Sequence, residues 1–299
     1  MSDPQVSIVI PTHNSSRYLV NALDSVLAQT VSDFEVLVVD DGSSDDTECV
    51  MRNYGPPVRY IKQQNSGVAV ARNNGISESR GRYVAFLDAD DVWLPFKLER
   101  QLEKIDLNSA SGACYSAFSI VTSELEPVDV NQRQHSGPLL ESLLTKGNVV
   151  GTPSTVICER ELLFEVGGFD PELSYGADWD LWLRLAVRTG FCYVDEPLVM
   201  YRQHDANMSR SASLVESDSL RVLEKGFEID GLSDSLRAKR RAAFARNYMV
   251  LAGTYFHARC YGDSVRCAAR SVSMDFRQLT YVIRFPKRLM KRARPQPAV

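Results

Sequence analysis

Short apolar runs alternate with amphipathic segments through the first third of the chain. The apolar runs are rich in β-branched residues and predict buried strands, while the segments between them carry apolar residues at helical spacing. The predicted strands are residues 6–10, 34–39, 58–61 and 83–87, and the predicted helices begin near residues 17, 45 and 67. This alternation predicts a mostly parallel sheet with helices on both faces, as in Rossmann-like α/β folds.

The pattern becomes less regular after residue 110 and purely helical after about residue 214. Further strands are predicted at residues 112–121, 154–158, 191–194 and 198–201, with a helix at 179–189, a polar loop at 122–138 and a polar candidate lid at 203–213. We therefore expect an α/β domain at residues 1–212 and a helical C-terminal region at residues 213–299.

The composition argues against several classes of protein but does not identify one. The 299 residues are 44% hydrophobic and 24% charged, which is ordinary for a globular chain, and the formal net charge of −4 argues against a nucleic-acid-binding polycation. The six cysteines form no CxxC pair, so we expect reduced thiols and not a disulfide framework or zinc site. The absence of a recognisable secretory signal predicts a cytoplasmic protein.

Acidic residues follow two of the predicted strands directly. Asp40 and Asp41 follow the second strand, and Asp88, Asp90 and Asp91 follow the fourth. Because the carboxyl ends of parallel strands meet at one edge, we expect these groups to face one crevice. Clustered carboxylates repel one another, and their oxygens suit Mg²⁺ or Mn²⁺ with positions left for phosphate. The alternative is two acidic turns that cap the following helices.

Four other positions are candidates for chemistry. Gly67 opens a helix, where backbone N–H groups favour anions, and Arg72 could add a planar donor for phosphate or base. Asp178, at a helix start, could act as a general base or as a helix cap. Asp180 is expected to cap that helix or face solvent. His204 follows the last short strand and suits a diphosphate or its metal, or is an ordinary loop histidine.

Seven segments together resemble the family 2 glycosyltransferases of GT-A fold. In order they are IVIPTHN, FEVLVVDDGSSDDT, NSGVAVARNNGI, GRYVAFLDADDVWLPFKLE, GGFDPEL, ADWDLWLRLA and YRQH. The resemblance covers roughly residues 5 to 210. It implies an inverting, metal-dependent transferase that uses a nucleotide-sugar donor, with a nucleotide-binding half at about 1–110 and an acceptor-binding half at about 111–212.

The resemblance also implies substrates and a cofactor. The donor would be a UDP-sugar most often, with dTDP or GDP as alternatives, and the cofactor Mn²⁺ or Mg²⁺. The acceptor would be a saccharide or a lipid-linked saccharide, in polysaccharide, cell-envelope or glycolipid biosynthesis.

Residue roles follow from the same motifs. Asp178 matches the catalytic base, and Asp90 and His204 match the metal site. The positions that match the nucleotide-sugar site are Pro11, Thr12, Asp40, Asp41, Arg72, Asp88 and Ala89. Asp91 lies near the metal or caps the next helix. Ala177 departs from the pattern, because many family members have an acidic residue immediately before the base.

Two alternative functions and the role of a C-terminal segment stay open. Ala177 would suit a nucleotide-sugar-binding protein without transfer activity. A metal-dependent nucleotidyltransferase would want a glycine-rich phosphate loop near the N-terminus, which residues 11–14 do not provide. Residues 281–294 mix six Lys/Arg with apolar residues, which predicts either peripheral contact with anionic lipid at the inner face of the plasma membrane or a solubilising tail.

Overall fold

The computed structural model describes residues 3–131, 139–204 and 208–283, and it contains two compact units. The first unit comprises Met1–Leu143 and Asn148–Met208, and the second comprises Leu144–Gly147 and Ser209–Val299. The first is a mixed α/β unit, and the second is helical. The predicted α/β fold class with a C-terminal helical extension is therefore confirmed.

A single sheet of nine strands forms the frame of the first unit within the described residues. Its strands are β1 (Val6–Thr12), β2 (Phe34–Asp40), β3 (Val58–Lys62), β4 (Tyr83–Phe86), β5 (Val92–Trp93), β6 (Ser111–Val121), β7 (Pro127–Asn131), β8 (Val156–Glu159) and β9 (Gly190–Arg202). They lie in the order β3-β2-β1-β4-β8-β6-β9-β5, and β7 pairs with β6. Strands β3, β2, β1 and β4 are parallel, as are β6 and β9, whereas β8 runs antiparallel between β4 and β6.

Eleven helices occur in the described part of the chain. They are α1 (Ser16–Leu27), α2 (Thr47–Met51), α3 (Val68–Glu78), α4 (Lys97–Asp106), α5 (Leu140–Lys146), α6 (Arg160–Glu165), α7 (Ala177–Ala186), α8 (Ala212–Glu228), α9 (Asp234–Arg237), α10 (Arg240–His257) and α11 (Tyr261–Met274). None of these described helices has the length and apolar character that crossing a membrane requires.

The central strand β1 shows why helices cover both faces of the sheet. Successive side chains of a strand point to opposite faces. Ile8 and Ile10 are fully buried in one cluster with Leu23 of α1. Val9 points the other way, where α3 packs so closely that a Cβ added to Gly75 would lie 2.3 Å from Val9 Cγ1. Gly75 therefore allows the close approach of α3 to the sheet.

Three elements differ from the sequence predictions. The polar loop predicted at residues 122–138 contains β7, an exposed edge strand, while residues 132–138 lie outside the described residues. The two strands predicted at 191–194 and 198–201 are one strand, β9, whose pairing with β6 shifts register between Ser116 and Phe118. The two-residue strand β5 was not predicted, because two residues carry no periodicity.

The second unit is helical, as the pattern beyond residue 214 predicts. A small core joins α8, α10 and α11 through Val215, Leu251, Tyr255 and Cys267, all at most 7% exposed. Part of the candidate lid and most of the basic tail, residues 205–207 and 284–299, lie outside the described residues.

Candidate active site

The carboxyl ends of β1, β2 and β4 are neighbours in the parallel part of the sheet. Thr12 pairs in register with Asp40, and the backbone N–H of Asp41 donates to the Thr12 carbonyl at 2.8 Å. Pro11 and Thr12 are buried at the end of β1, and the Thr12 hydroxyl has no hydrogen-bond partner among the described residues. The fold therefore brings the first predicted site residues to one edge, as the strand order requires.

Asp41 organises the turn that leads into α3. Its carboxylate accepts hydrogen bonds from Gln63 Nε2, Ser66 N and Gly67 N, each at 2.8 Å. A carboxylate offers about four acceptor positions, so one position on Oδ2 stays open. Asp41 is 4% exposed. The side chain can thus fix the turn and still accept one N–H from a ligand.

Asp40 stabilises this turn from its buried side. It is completely buried, and its two carboxylate oxygens accept from Ser43 N at 2.7 Å and from the hydroxyl of Tyr60. Burial and the hydrogen bond to Asp40 raise the pKa of Tyr60, so the phenol stays a donor. Asp40 therefore acts by shaping the loop that carries Asp41.

Arg72 and Asp88 form a direct ion pair. Arg72 Nη2 lies 2.6 Å from Asp88 Oδ1, and the guanidinium sits over the ring of Phe169 at 5.2 Å. Asp88 Oδ2 also accepts from Thr152 Oγ1 at 3.3 Å. Arg72 is only 4% exposed, so this pair is fixed by burial as well as by charge. Ala89 turns its methyl group into the core, which leaves only its backbone for a ligand.

Asp90 and His204 are brought together from distant parts of the chain. His204 Nε2 lies 2.9 Å from Asp90 Oδ2, and its ring stacks on Tyr18 at 5.1 Å. Burial and the nearby charge of Asp88 raise the pKa of Asp90, and the contact with His204 acts in the opposite direction. The carboxylate suits Mn²⁺ or Mg²⁺, and the imidazole, a ligand typical of transition metals, favours Mn²⁺ of the two.

The described residues supply too few groups for a fully protein-bound ion. No cluster of three or more His, Cys, Asp or Glu suited to a metal occurs among them. Mg²⁺ sites at phosphates commonly use one or two carboxylates and take the other ligands from substrate and water. The Asp90–His204 pair fits an ion of that kind, which would be held jointly with a phosphate-bearing ligand.

Asp91 is structural, and the prediction that it caps the next helix is wrong. Helix α4 begins at Lys97, and Phe96 occupies the position before it. Asp91 is fully buried and accepts from Ser154 Oγ at 2.6 Å and from the backbone N–H of Arg202 at 3.0 Å. Burial and the neighbouring carboxylates raise the pKa of Asp91 well above its usual range. The residue ties the end of β9 to the loop after β4.

Asp178 lies in the first turn of α7 with both oxygens engaged. Oδ1 accepts from Trp179 N at 2.7 Å, and Oδ2 accepts from Asn148 Nδ2 at 2.9 Å. Burial raises the pKa of Asp178 to about 7, although the positive charge of Arg72 acts to lower it and Asp88 acts to raise it. The loop at residues 148–152 connects Asp178 to the Arg72–Asp88 pair, because Asn148 donates to Asp178 and Thr152 donates to Asp88. A carboxylate with this pKa can take up a proton near neutral pH.

Asn148 is a site residue that the sequence analysis missed. Its amide is held from both ends by Gly151, because Oδ1 accepts from Gly151 N at 3.0 Å and Nδ2 donates to Gly151 O at 2.9 Å. The second Nδ2 hydrogen then points at Asp178. An Asn three residues before a Gly is typical of a turn that is closed by the Asn side chain. Nothing in the local sequence, however, connects Asn148 to Asp178.

The prediction that Asp180 caps α7 or faces solvent is wrong. Asp180 is 2% exposed and pairs with Arg184 one turn later, at 2.7 Å. Arg184 in turn donates to the carbonyls of Val166 and Gly168, at 2.5 and 2.7 Å. The pair, with its carboxylate buried and its guanidinium half-buried, thus fixes the glycine turn at residues 167–168 against α7.

Helix α3 holds the same turn from the other side. Asn73 accepts from Phe169 N at 2.7 Å and donates to Phe169 O at 2.8 Å. Gly168 has φ +69°, and a Cβ there would lie 2.4 Å from Asn73 Oδ1. A side chain at position 168 would therefore break the contact between α3 and the turn.

Comparison with known proteins identifies related sequences. The model of glycosyl transferase family 2 matches residues 7–165. An uncharacterized glycosyltransferase of Rickettsia typhi is 34% identical over 75% of this chain and 71% of its own. Bacillus subtilis TuaG, whose name refers to teichuronic acid biosynthesis, is 32% identical over 67% of this chain and 79% of its own.

Solved structures share the fold at low sequence identity. Staphylococcus aureus TarS 1–349 has a TM-score of 0.65 and 18% identity, with 90% of this chain and 83% of that chain covered. Its complex with UDP-GlcNAc gives 0.60 and 17%, with 92% of each chain covered. A Pyrobaculum calidifontis mannosyltransferase in complex with GDP-Man and Mn²⁺ gives 0.63 and 18%, covering 94% and 84%. These matches confirm the GT-A fold.

Proposed function

Because the chain belongs to glycosyl transferase family 2, we propose that it moves a sugar from a nucleotide-diphosphate sugar to an acceptor hydroxyl with inversion at the anomeric carbon. The observation that carries this proposal is Asp178. Its carboxylate has a pKa of about 7, is oriented by Asn148, and shares a site with Arg72 and Asp88. A base poised near neutral pH is what removal of a proton from a sugar hydroxyl requires.

The nucleotide is proposed to lie at the ends of β1, β2 and β4. The open acceptor position of Asp41 suits an N–H group of the base, and the buried hydroxyl of Thr12 lies at the same edge. Asp88, held by Arg72, is assigned to the ribose side. A UDP-sugar is the proposed donor. The complexes of TarS with UDP-GlcNAc and of the mannosyltransferase with GDP-Man belong to those proteins, and they set UDP and GDP as the first donors to compare.

Asp90 and His204 are proposed to hold Mn²⁺ or Mg²⁺ together with the donor diphosphate. Such an ion would neutralise the diphosphate and make it a better leaving group. His204 is oriented for this role by its stack on Tyr18. Asp91 keeps the loop that carries Asp90 in place through its contacts with Ser154 and the backbone of Arg202.

Transfer is then a single displacement. The acceptor oxygen forms a bond to the anomeric carbon on the face opposite the diphosphate, the bond from that carbon to the phosphate oxygen breaks, and Asp178 receives the hydroxyl proton. One displacement inverts the configuration, through a transition state with oxocarbenium character. The hydrogen bond from Asn148 keeps Oδ2 of Asp178 in a fixed direction while the proton moves. The proposed acceptor is a saccharide or lipid-linked saccharide in polysaccharide, cell-envelope or glycolipid biosynthesis.

A donor panel tests the proposed function. Thermal melts of the full chain with UDP-, dTDP- and GDP-sugars, each with Mn²⁺, Mg²⁺ or a chelator, should show a raised melting temperature with a UDP-sugar and metal. A ligand at about 100 times its Kd stabilises the folded state by about 2.7 kcal/mol. Release of UDP is then measured with candidate acceptors. No shift with any nucleotide sugar would refute the proposal, whereas binding without turnover across the panel would favour the binding-protein alternative.

Replacing Asn148 with Ala should shift the pH dependence of transfer. The hydrogen bond from Asn148 lowers the pKa of Asp178, so its loss raises that pKa above about 7. We expect a lower rate at neutral pH that recovers as the pH rises. A pKa rise of about one unit would reduce the charged fraction at about pH 7 about fivefold. The measurement is kcat against pH, with Asn108→Ala, an exposed asparagine, as control. An equal loss of rate at every pH would show that Asn148 acts only on stability.

A further inference from the structure

Charge is divided unevenly along the chain. Residues 1–208 contain 16 Lys/Arg and 30 Asp/Glu, a formal charge of −14, whereas residues 209–299 contain 18 Lys/Arg and 8 Asp/Glu, a formal charge of +10. The net charge of −4 therefore hides a strongly basic C-terminal unit. A region of this charge attracts anions at moderate ionic strength.

Part of that charge converges on one cleft in the second unit. The cleft is a shallow, open depression of about 550 Å³ that lies beside α9, α10 and α11. It is lined by four arginines together with one aromatic and one sulfur side chain, namely Arg237, Arg240, Arg241, Arg270, Phe244 and Met274. All four arginines are exposed, and no acidic residue lines the cleft.

Within residues 208–283, none of the four guanidinium groups pairs with a carboxylate. Arg241 donates instead to the carbonyls of Met274 and Ser273, at 2.7 and 3.2 Å, and Arg237 donates to the Leu232 carbonyl at 3.2 Å. These contacts orient two of the four groups, Arg237 and Arg241, without neutralising them.

Other arginines of the unit are neutralised in the usual way. Arg266 pairs with Glu216 at 2.7 Å, and Arg277 pairs with Asp275 at 2.9 Å. The contrast shows that acids are present in the unit and that the cleft lacks them. Four like charges around one cleft repel one another, and a bound anion would relieve that repulsion.

We propose that this cleft binds a phosphate group. Guanidinium groups match the geometry of phosphate oxygens and remain charged at every physiological pH. Arg240 lies over the ring of Phe244 at 4.8 Å, a stack that orients the guanidinium plane. The phosphate can come from a free phosphate ester or from a lipid headgroup. The proposal stands apart from the proposed sugar transfer, since neither the donor site nor Asp178 takes part.

Paired substitutions in the full chain test this site. The cleft variant is Arg240→Gln with Arg270→Gln, and the control is Arg246→Gln with Arg259→Gln, which removes the same charge from exposed positions that do not line the cleft. One arm titrates inorganic phosphate by calorimetry. The other measures flotation with phosphatidylcholine vesicles, with and without phosphatidylglycerol. We expect binding about tenfold weaker in the cleft variant and within about twofold of wild type in the control.

The two arms separate the two sources of phosphate. A selective loss of binding in the phosphate titration supports the site with a free phosphate as ligand. A selective loss confined to flotation with phosphatidylglycerol supports it with a lipid headgroup as ligand. Equal loss in both variants, unchanged binding in the cleft variant, or no binding by the wild-type chain in either arm would overturn the proposal. Both variants leave the residues of the proposed sugar-transfer site intact, so sugar transfer is measured alongside and is not expected to decide the outcome.

Discussion

Asp178→Asn is expected to abolish most sugar transfer, by about 10²-fold or more, while leaving nucleotide binding unchanged. The amide has nearly the same shape as the carboxylate, and its oxygen can keep the hydrogen bond from Trp179 N. Its nitrogen then faces Asn148 Nδ2 and loses that hydrogen bond, and the amide cannot receive the acceptor proton. The measurements are kcat with a donor that binds and the donor Kd by calorimetry. Near-normal turnover would remove Asp178 from the role of base.

The same substitution should also change the pH dependence of stability. The pKa of Asp178 is raised in the folded chain from 3.8 to about 7, mainly by burial. The folded chain therefore holds a proton that the unfolded chain releases between about pH 4 and 7, and stability from this group is lost as the pH rises through that range. Asp178→Asn lacks this slope, so its melting temperature relative to that of the wild type should rise as the pH increases from about 4 to 8. Asp106→Asn, at an exposed position, is the control.

Asp90→Ala should remove the metal-dependent part of donor binding. Asp90 is the acidic partner of His204, and the described residues offer no larger cluster that could replace it. Calorimetry with the donor in Mn²⁺ and in chelator should show a large difference for the wild type and almost none for the variant. An unchanged difference would refute the assignment of the metal to Asp90.

Asp91→Ala should affect stability and not metal-dependent donor binding, because this neighbouring carboxylate has a structural role. Its removal leaves Ser154 Oγ and the Arg202 backbone N–H without their acceptor in a buried place. We expect a loss of about 2–4 kcal/mol in unfolding free energy, measured by denaturant titration. Where the variant is folded, its donor binding should still respond to Mn²⁺. The two substitutions separate the roles of adjacent acids.

The parallel half of the fold follows directly from local sequence. Strands β1 to β4 are buried, so each appears as a short run of apolar residues ended by a polar turn, and the predicted bounds lie within two residues of the observed ones. Strand β7 carries no such signal. Val128 and Val130 are 58% and 50% exposed, so the strand lacks an alternation between buried and exposed residues and its sequence resembles a loop.

The candidate site is predictable in part, because strand ends can be located from sequence whereas long-range hydrogen bonds cannot. The positions of Asp41 and Asp88 follow from the strand pattern. The structural role of Asp91 depends on its hydrogen bond from the backbone of Arg202, which lies 111 residues later. The periodicity of apolar residues in the sequence does not indicate such a long-range contact. Asp180 was misassigned for a related reason. Its partner Arg184 is local, but the burial that makes the pair structural comes from the fold.

Helix α3 sets the spacing of the whole site. Within nine residues, Gly67 donates to Asp41, Arg72 pairs with Asp88, Asn73 holds Phe169, and Gly75 lies against β1. Each residue of an α-helix is turned by about 100° from the one before it, so inserting or deleting one residue would rotate three of these contacts away from their partners together. Length is therefore a stricter constraint here than side-chain identity at the outward positions. In the evolution of this chain, insertions should therefore be tolerated in the surface loops. The segment from 67 to 75 should keep its length, because its contacts depend on the spacing of its residues.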